Sequence, residues 1–295
     1  MPPRTFTTVE AIIAQVPATQ TVLIAGPTAS GKSAIALALA KAQGGVIVNA
    51  DASQVYACWR VLTARPTKAE ESQIAHRLYG HVPADHAYSV GHWLRDIRAL
   101  MSTKARLIVV GGTGLYFKAL TEGLADIPST PPHTRRAANK MSLAQLLAAL
   151  DAETCAAIDT CNRARVQRAW EVHQTTGKSL LYWQRQTAPA DLPLDRCFPL
   201  VVHAPRDWLN ARIAQRFELM LAQGALEEAR QVSAVYDPNL PAHRAIGGPE
   251  LIAYTRGQQS LDDARQATII ATRRLAKRQR TWMRSHMSKW HAFTV

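Results

Sequence analysis

Apolar residues along the first 120 positions follow two alternating rhythms. Short unbroken runs, Thr21-Val22-Leu23-Ile24-Ala25, Gly45-Val46-Ile47-Val48-Asn49-Ala50 and Ala105-Arg106-Leu107-Ile108-Val109-Val110, read as strands buried on both faces. Between them lie helical stretches. Ala34-Ile35-Ala36-Leu37-Ala38-Leu39-Ala40-Lys41 is rich in strong helix formers, and Ser89 can cap a helix to Met101 that turns Trp93, Ile97 and Leu100 to one side. This alternation predicts an α/β fold: a parallel sheet flanked by helices, with ligands gathered at the carboxyl ends of the strands. Three such ends are visible, at Gly26–Ser33, at Asp51 and at Gly111-Gly112-Thr113-Gly114.

The pattern breaks at Pro128-Ser129-Thr130-Pro131-Pro132 and stays helical and strand-free to about Arg196, where Cys197-Phe198-Pro199-Leu200-Val201-Val202-His203 restores a strand. Residues 1–124 and 196–295 are therefore expected to form one α/β core, and residues 125–195 an all-helical insertion. From Arg206 onward the chain is expected to be helical: a run to Gln223 ending at Gly224, another from Ala225 to Ala234, and a long last helix opened by Ser260-Leu261-Asp262-Asp263. Internal repeats and low-complexity tails are absent from the sequence.

Gly26-Pro27-Thr28-Ala29-Ser30-Gly31-Lys32-Ser33 fits the P-loop pattern G-x-x-x-x-G-K-[ST], and it lies between a predicted strand and a predicted helix, as that loop must. Its glycines let successive N–H groups turn inward around phosphate oxygens, at the positive end of a helix dipole. Lys32 adds a mobile cation, and the Ser33 hydroxyl can serve Mg²⁺. The loop implies a phosphorylated ligand.

Charge extends the picture. Thirty-five Lys and Arg against 22 Asp and Glu leave a net charge of +13, which points to a polyanionic partner, nucleic acid before membrane. After Asp263 there is no further acid, while Arg265, Arg273, Arg274, Lys277, Arg278, Arg280, Arg284 and Lys289 follow. At 100° per residue, Arg273, Lys277, Arg280 and Arg284 fall within roughly 60° of one another, a stripe of cations suited to phosphates. Leu275, Ala276, Trp282 and Met283 point broadly away from it. A second cluster (Arg135, Arg136, Arg163, Arg165, Arg168) lies in the insertion near Trp170, Tyr182 and Trp183, aromatics that could stack bases or form the insertion's core. Cys58, Cys155, Cys161 and Cys197 have no metal-ligand spacing and read as free thiols in a reducing compartment. No apolar run approaches the ~18 residues of a membrane span, and no address sequence is evident, so a cytoplasmic protein is expected.

A phosphoryl-transfer enzyme needs a second carboxylate at a strand end to hold Mg²⁺. The third strand instead runs into Gly111-Gly112-Thr113, and the one well-placed acid is Asp51. Either Asp51 is the metal ligand of a small kinase, or phosphate is the leaving group and Asp51 is a base.

Four blocks bear on the choice: the P-loop, Asn49-Ala50-Asp51-Ala52-Ser53-Gln54-Val55-Tyr56, Val110-Gly111-Gly112-Thr113-Gly114-Leu115-Tyr116, and Thr272-Arg273-Arg274-Leu275-Ala276-Lys277-Arg278-Gln279-Arg280-Thr281-Trp282. In order and spacing they resemble the isopentenyl-tRNA transferase (tRNA dimethylallyltransferase) family, from about Val22 to about Trp282. The resemblance implies a P-loop core with an insertion gripping the tRNA anticodon stem-loop. It also implies transfer of a dimethylallyl group from dimethylallyl diphosphate to N6 of the adenosine at position 37, 3′ of the anticodon.

Asp51 then matches the family's base, and Thr113 its threonine at the departing oxygen. Gly26, Pro27, Thr28, Ala29, Ser30, Gly31, Lys32, Ser33 and Arg244 match the diphosphate site, with Mg²⁺ on Ser33. The implied tRNA contacts are Asp51, Ala52, Ser53, Gln54, Thr113, Arg135, Ala164, Arg165, Val166, Gln167, Arg168, Arg274, Lys277, Arg278 and Gln279. Three departures stand out: Ala52 where the family has a serine, Asn162 where an aspartate is common, and Gly247-Gly248-Pro249-Glu250 in place of a Gly-Tyr-Lys/Arg pattern. The competing readings are an ATP-using kinase and a non-catalytic RNA binder. With no heptad pattern in view, a monomer is expected.

Overall fold

The computed structural model describes residues 2–295. Seven strands form one sheet: β1 Thr5–Phe6, β2 Val22–Ala25, β3 Val46–Asn49, β4 His76–Arg77, β5 Leu107–Gly111, β6 Phe198–His203 and β7 His291–Thr294. Their order is β1-β7-β6-β2-β5-β3-β4, and every neighbouring pair is parallel. The two strands with the most apolar sequences, β2 and β5, lie side by side at the centre and are buried along their whole length. Covering both faces with helices leaves such strands no solvated side, so their sequences do not alternate.

The expected all-helical tail after Arg206 fails at its end, where β7 pairs with β6, and β1 and β4 are also absent from the sequence reading. All three are short elements of two to four residues at or next to the sheet edges, too short for periodicity to register, and only Phe293 is buried in β7.

The helices are α1 Val9–Gln15, α2 Lys32–Gln43, α3 Lys68–Gln73, α4 Val90–Met101, α5 Gly114–Glu122, α6 Pro132–Lys140, α7 Leu143–Ala148, α8 Ala152–Ala157, α9 Arg163–Thr176, α10 Leu180–Arg185, α11 Arg206–Ala222, α12 Ala225–Ser233, α13 Gly248–Thr255 and α14 Leu261–His286. Ser89 and Ser260 cap α4 and α14 through their hydroxyls, as their sequences predict.

The described residues form two compact units, residues 2–121 with 192–295, and residues 122–191. In the first, α1 and α2 bury Ile12, Val16, Ile35 and Leu39 against Ile24, Ile108 and Leu200 of the sheet. A separate core gathers Ile213, Phe217, Leu251, Ile252, Ile269 and Ala276 from α11, α13 and α14 around Trp59 and Leu62. The second unit holds α6 to α10 and a small core of Ala138, Leu146, Val166 and Trp170. Among the described residues no helix is long and apolar enough to cross a membrane.

Candidate active site

Because β2 lies between β5 and β6, and β5 between β2 and β3, the loops after β2, β3 and β5 are neighbours. The glycines make this proximity possible. A Cβ on Gly111 would stand 2.0 Å from the Ala50 carbonyl oxygen, one on Gly112 2.2 Å from the Gln279 amide, and one on Gly114 2.1 Å from the Trp282 ring. The Gly-Gly-Thr-Gly sequence is thus a surface against which β3 and α14 press.

The loop after β2 has the shape of an anion cradle. Ala29 and Gly31 both adopt left-handed backbone, at φ 64° and 87°, and Gly31 opens α2. The buried Ser30 hydroxyl has no hydrogen-bond partner among the described residues, and a Cβ on Gly26 would lie 2.7 Å from it. An unpaired buried hydroxyl is costly unless a ligand completes it.

Lys32 Nζ donates to the Pro27 carbonyl at 3.3 Å. Burial lowers its pKa from 10.5 to about 8; the Asp51 charge opposes that shift and Arg216 adds to it. The unliganded protein therefore bears a cost for the Lys32 charge below pH 8, which is relieved as pH rises from 8 to 10.5.

Asp51 follows β3 directly. Its backbone N–H donates to Asn49 Oδ1 at 2.8 Å, and Asn49 Nδ2 donates to the Asp51 carbonyl at 2.9 Å. Its Oδ1 accepts from the Ser53 N–H at 3.0 Å and the Ser53 hydroxyl at 2.7 Å. Oδ2 accepts no hydrogen bond from the described residues, and a Cβ on Gly112 would lie 3.2 Å from it. Thr113 is tied to the same turn: its N–H donates to the Ala50 carbonyl at 3.1 Å and its hydroxyl accepts from the Ala52 N–H at 2.9 Å.

Around these groups lies a cavity of about 460 Å³. Thr28, Lys32, Ser33, Asp51, Thr113, Arg216 and Arg244 form its polar side, and Leu62, Ile213, Phe217, Met220, Ile246 and Leu275 its apolar side. Asp51 is the one acidic side chain among the described residues that line it. Tyr79 lines it too; burial and then the Asp51 charge raise the Tyr79 phenol well above its ordinary range, which keeps it a neutral donor.

Sequence reasoning missed Arg212 and Arg216. Arg216 Nη1 donates to Thr28 Oγ1 at 3.3 Å and Arg212 Nε to the Ala29 carbonyl at 3.1 Å, so α11 braces the P-loop with two guanidiniums one turn apart. The available signal was their placement beside Ile213 and Phe217, at the border of the apolar stripe of α11.

Other expected residues divide by position. Gln279 faces inward and joins two loops, Oε1 accepting from the Thr28 N–H at 2.8 Å and Nε2 donating to the Gly112 carbonyl at 3.0 Å. Gln54 donates to the carbonyls of Thr63 and Ala64. The exposed Arg244 lines the cavity while donating to the carbonyls of Pro238 and Asn239.

Arg273, Arg274, Lys277, Arg280 and Arg284 line a groove of about 440 Å³ with Arg206 and Asn210 of α11, and Arg278 is exposed nearby in the sequence. In the helical unit Ala164, Arg165 and Arg135 are exposed, and Gln167 and Arg168 half-buried. Val166 and Trp170 face the core, so the indole of Trp170 is not a free stacking surface.

The three departures have physical counterparts. With Ala52 in place of serine, the Ser53 hydroxyl bonds the Asp51 carboxylate. Asn162 caps α9, its Oδ1 accepting from the Arg165 N–H at 3.3 Å. Where the tyrosine of the Gly-Tyr pattern is missing, the buried Trp59 indole lies against Gly248, 3.1 Å from the position of a Cβ there.

A metal would find oxygen donors only. Among the described residues no three or more His, Cys, Asp or Glu side chains cluster to hold an ion. Mg²⁺ suits such a site, since it keeps waters and takes one or two protein oxygens beside a phosphate.

Residues 54–286 match the family described as IPP transferase. A Roseobacter denitrificans protein named tRNA dimethylallyltransferase is 61% identical over 272 residues, covering 92% of this chain and 98% of its own. The full-length tRNA isopentenylpyrophosphate transferase of Bacillus halodurans superposes with a TM-score of 0.66 at 28% identity, over 94% of this chain and 90% of that one. A eukaryotic dimethylallyltransferase acting on tRNA shares the fold, with a TM-score of 0.78 at 23% identity over 93% and 73% of the two chains.

Proposed function

The chain belongs to the IPP transferase family, and we propose that its cavity joins dimethylallyl diphosphate to N6 of the adenosine 3′ of a tRNA anticodon, with Asp51 as the base. Prenyl transfer to tRNA is the reaction of the family, which sets aside the kinase and the non-catalytic RNA binder. The observation that carries the finer reading is the lining of the cavity: one carboxylate, a P-loop, and an apolar wall. A kinase would need a second acid for its metal. Alkyl transfer needs one base and a dry surface for the hydrocarbon.

In this mechanism the P-loop amides, Lys32 and Arg216 bind the diphosphate, while Leu62, Phe217 and Leu275 cover the five-carbon tail and exclude water. Arg244 closes the phosphate end once its guanidinium leaves the Pro238 and Asn239 carbonyls. The adenine must leave its stack to enter. Its amine is a poor nucleophile because the lone pair is delocalised into the ring.

As the nitrogen bonds to the allylic carbon, the bond from that carbon to the diphosphate oxygen breaks and its electron pair leaves with the diphosphate. The amine proton passes to Asp51 through its open Oδ2. The Thr113 hydroxyl, held beside Asp51 by the Ala52 N–H, donates to the departing oxygen. Mg²⁺ held by Ser33 would further neutralise the diphosphate.

The exposed cations of α14 and those of α9 each supply phosphate contacts to the tRNA, and the protein acts where tRNA is, in the cytoplasm.

The test is direct. Protein, Mg²⁺, dimethylallyl diphosphate and unmodified tRNA should yield a digest in which one adenosine carries the dimethylallyl mass, mapped to the position 3′ of the anticodon. A digest unchanged in mass, or the label at another base, overturns the assignment.

A pH signature follows from Lys32. Diphosphate drawn onto this ammonium restores its proton, so donor binding takes up protons above pH 8, and donor affinity falls as pH rises through 8. Titration calorimetry at pH 9 in two buffers of different ionisation enthalpy should show that uptake, and Lys32→Met should abolish it. Equal heats in both buffers for the natural protein would place Lys32 away from the diphosphate.

A further inference from the structure

The helical unit, taken by itself, contains a buried carboxylate that the reaction does not use. Glu171 lies on α9 with its side chain 3% exposed. Its Oε2 accepts from Arg135 Nη2 at 3.2 Å and from the Thr130 hydroxyl at 3.4 Å, and its Oε1 accepts from Gln167 Nε2 at 3.0 Å. Arg168 Nη1 donates to the same Thr130 hydroxyl at 2.6 Å, and Gln167 Nε2 also donates to Asn139 Oδ1 at 2.8 Å.

The three residues Arg135, Gln167 and Arg168, all expected at the tRNA, therefore converge on Glu171, two directly and one through Thr130. Each is anchored by one end only. Arg135 leaves its side chain 59% exposed while one nitrogen is held, so its remaining donors point from a fixed origin.

We propose that Glu171 is a positioning residue for RNA: its carboxylate sets the directions in which Arg135 and Arg168 offer their free donors, and Gln167 its free amide oxygen, to the tRNA. This rests on the reading that those three side chains touch tRNA. The physical gain is preorganisation. Arginine is long and rotamer-rich, and ordering it only on binding would be charged against affinity. Glu171 orders it in the free protein. The single buried charge also cancels part of the local positive field, so affinity there comes from direction more than from net charge.

A plainer role exists, since the same bonds staple α6 to α9, and the experiment separates the two. In the full-length protein, Glu171→Gln keeps the shape and removes the charge. Affinity is read by anisotropy with a labelled anticodon stem-loop, alongside KM for tRNA, KM for the donor, and thermal unfolding.

We expect Kd and KM for RNA to rise about tenfold, the scale of one charge-assisted hydrogen bond, with KM for the donor unchanged. In an Arg135→Gln, Arg168→Gln background the same substitution should alter Kd less than about twofold, because both guanidiniums it orients are gone and only Gln167 remains. Equal losses in both backgrounds would make Glu171 a staple only, and an unchanged Kd in the folded single variant would equally overturn the proposal. If the two arginine changes alone leave Kd unaltered, the underlying tRNA reading fails, and the proposal with it. Should Glu171→Gln unfold the unit, Glu171→Asp, which retracts the charge by one methylene, is put through the same cycle.

Discussion

Replacing Asp51 by asparagine should lower turnover at least ~100-fold, within the range for a lost general base, while donor and tRNA still bind. Asparagine has the same size, and its oxygen can accept the two Ser53 bonds that Oδ1 receives now. The Asn49 clamp acts on the backbone of residue 51 and does not sense the change. What alters is the atom in the place of Oδ2, where an amide NH₂ presents a donor to a nitrogen that must lose a proton. Single-turnover chemistry with tRNA in excess isolates this step. A near-natural rate there would remove Asp51 from the proton path, and a rise in donor Kd with unchanged chemistry would make it a binding group.

The largest expected loss of stability is at Gly111. An alanine there places Cβ 2.0 Å from the oxygen and 2.1 Å from the carbon of the Ala50 carbonyl, backbone that cannot swing aside as a side chain could. Relief requires β3 and β5 to part where Asn49 pairs with Val110. We expect Gly111→Ala to cost about 3 kcal/mol or more, lowering Tm by roughly 6 °C or more. Activity should fall further than stability alone explains, because the Ala50 carbonyl that must move also holds the Thr113 N–H. Gly91→Ala, in the first turn of α4 with nothing closer than 3.6 Å to the new carbon, is the control, and alanine is the better helix former. Equal melting temperatures for the two variants would show that the sheet gives way easily at Gly111.

The contrast between these glycines bears on what can be read from a sequence. The P-loop glycines were legible because the pattern itself encodes backbone geometry: Gly31 sits at φ 87°, and its neighbours are a strand and a helix. Gly111, Gly112 and Gly114 could be seen as a strand end without an acid. What they exclude, namely the Ala50 carbonyl, the Gln279 amide and the Trp282 ring, comes from partners up to 168 positions away and has no local trace. Gln279 shows the same limit. It follows two cations on a basic helix, yet its amide turns inward to bridge Thr28 and Gly112. Arg216 stands on α11 with no local mark of its role, yet its guanidinium braces the P-loop.

Local chemistry therefore settled which segments become strand, phosphate loop and capped helix, because backbone preference and apolar period act over a few neighbouring residues. It also settled where a lone acid would follow a buried strand, and the four ordered blocks tied the chain to its family. Folding alone decided the short strands at both ends of the chain, the serine and tryptophan set against two of the family departures, and the convergence of Arg135, Gln167 and Arg168 on a buried glutamate. These are products of packing, in which atoms distant along the chain compete for the same few ångströms. A sequence specifies such meetings only collectively, so no window of it displays them.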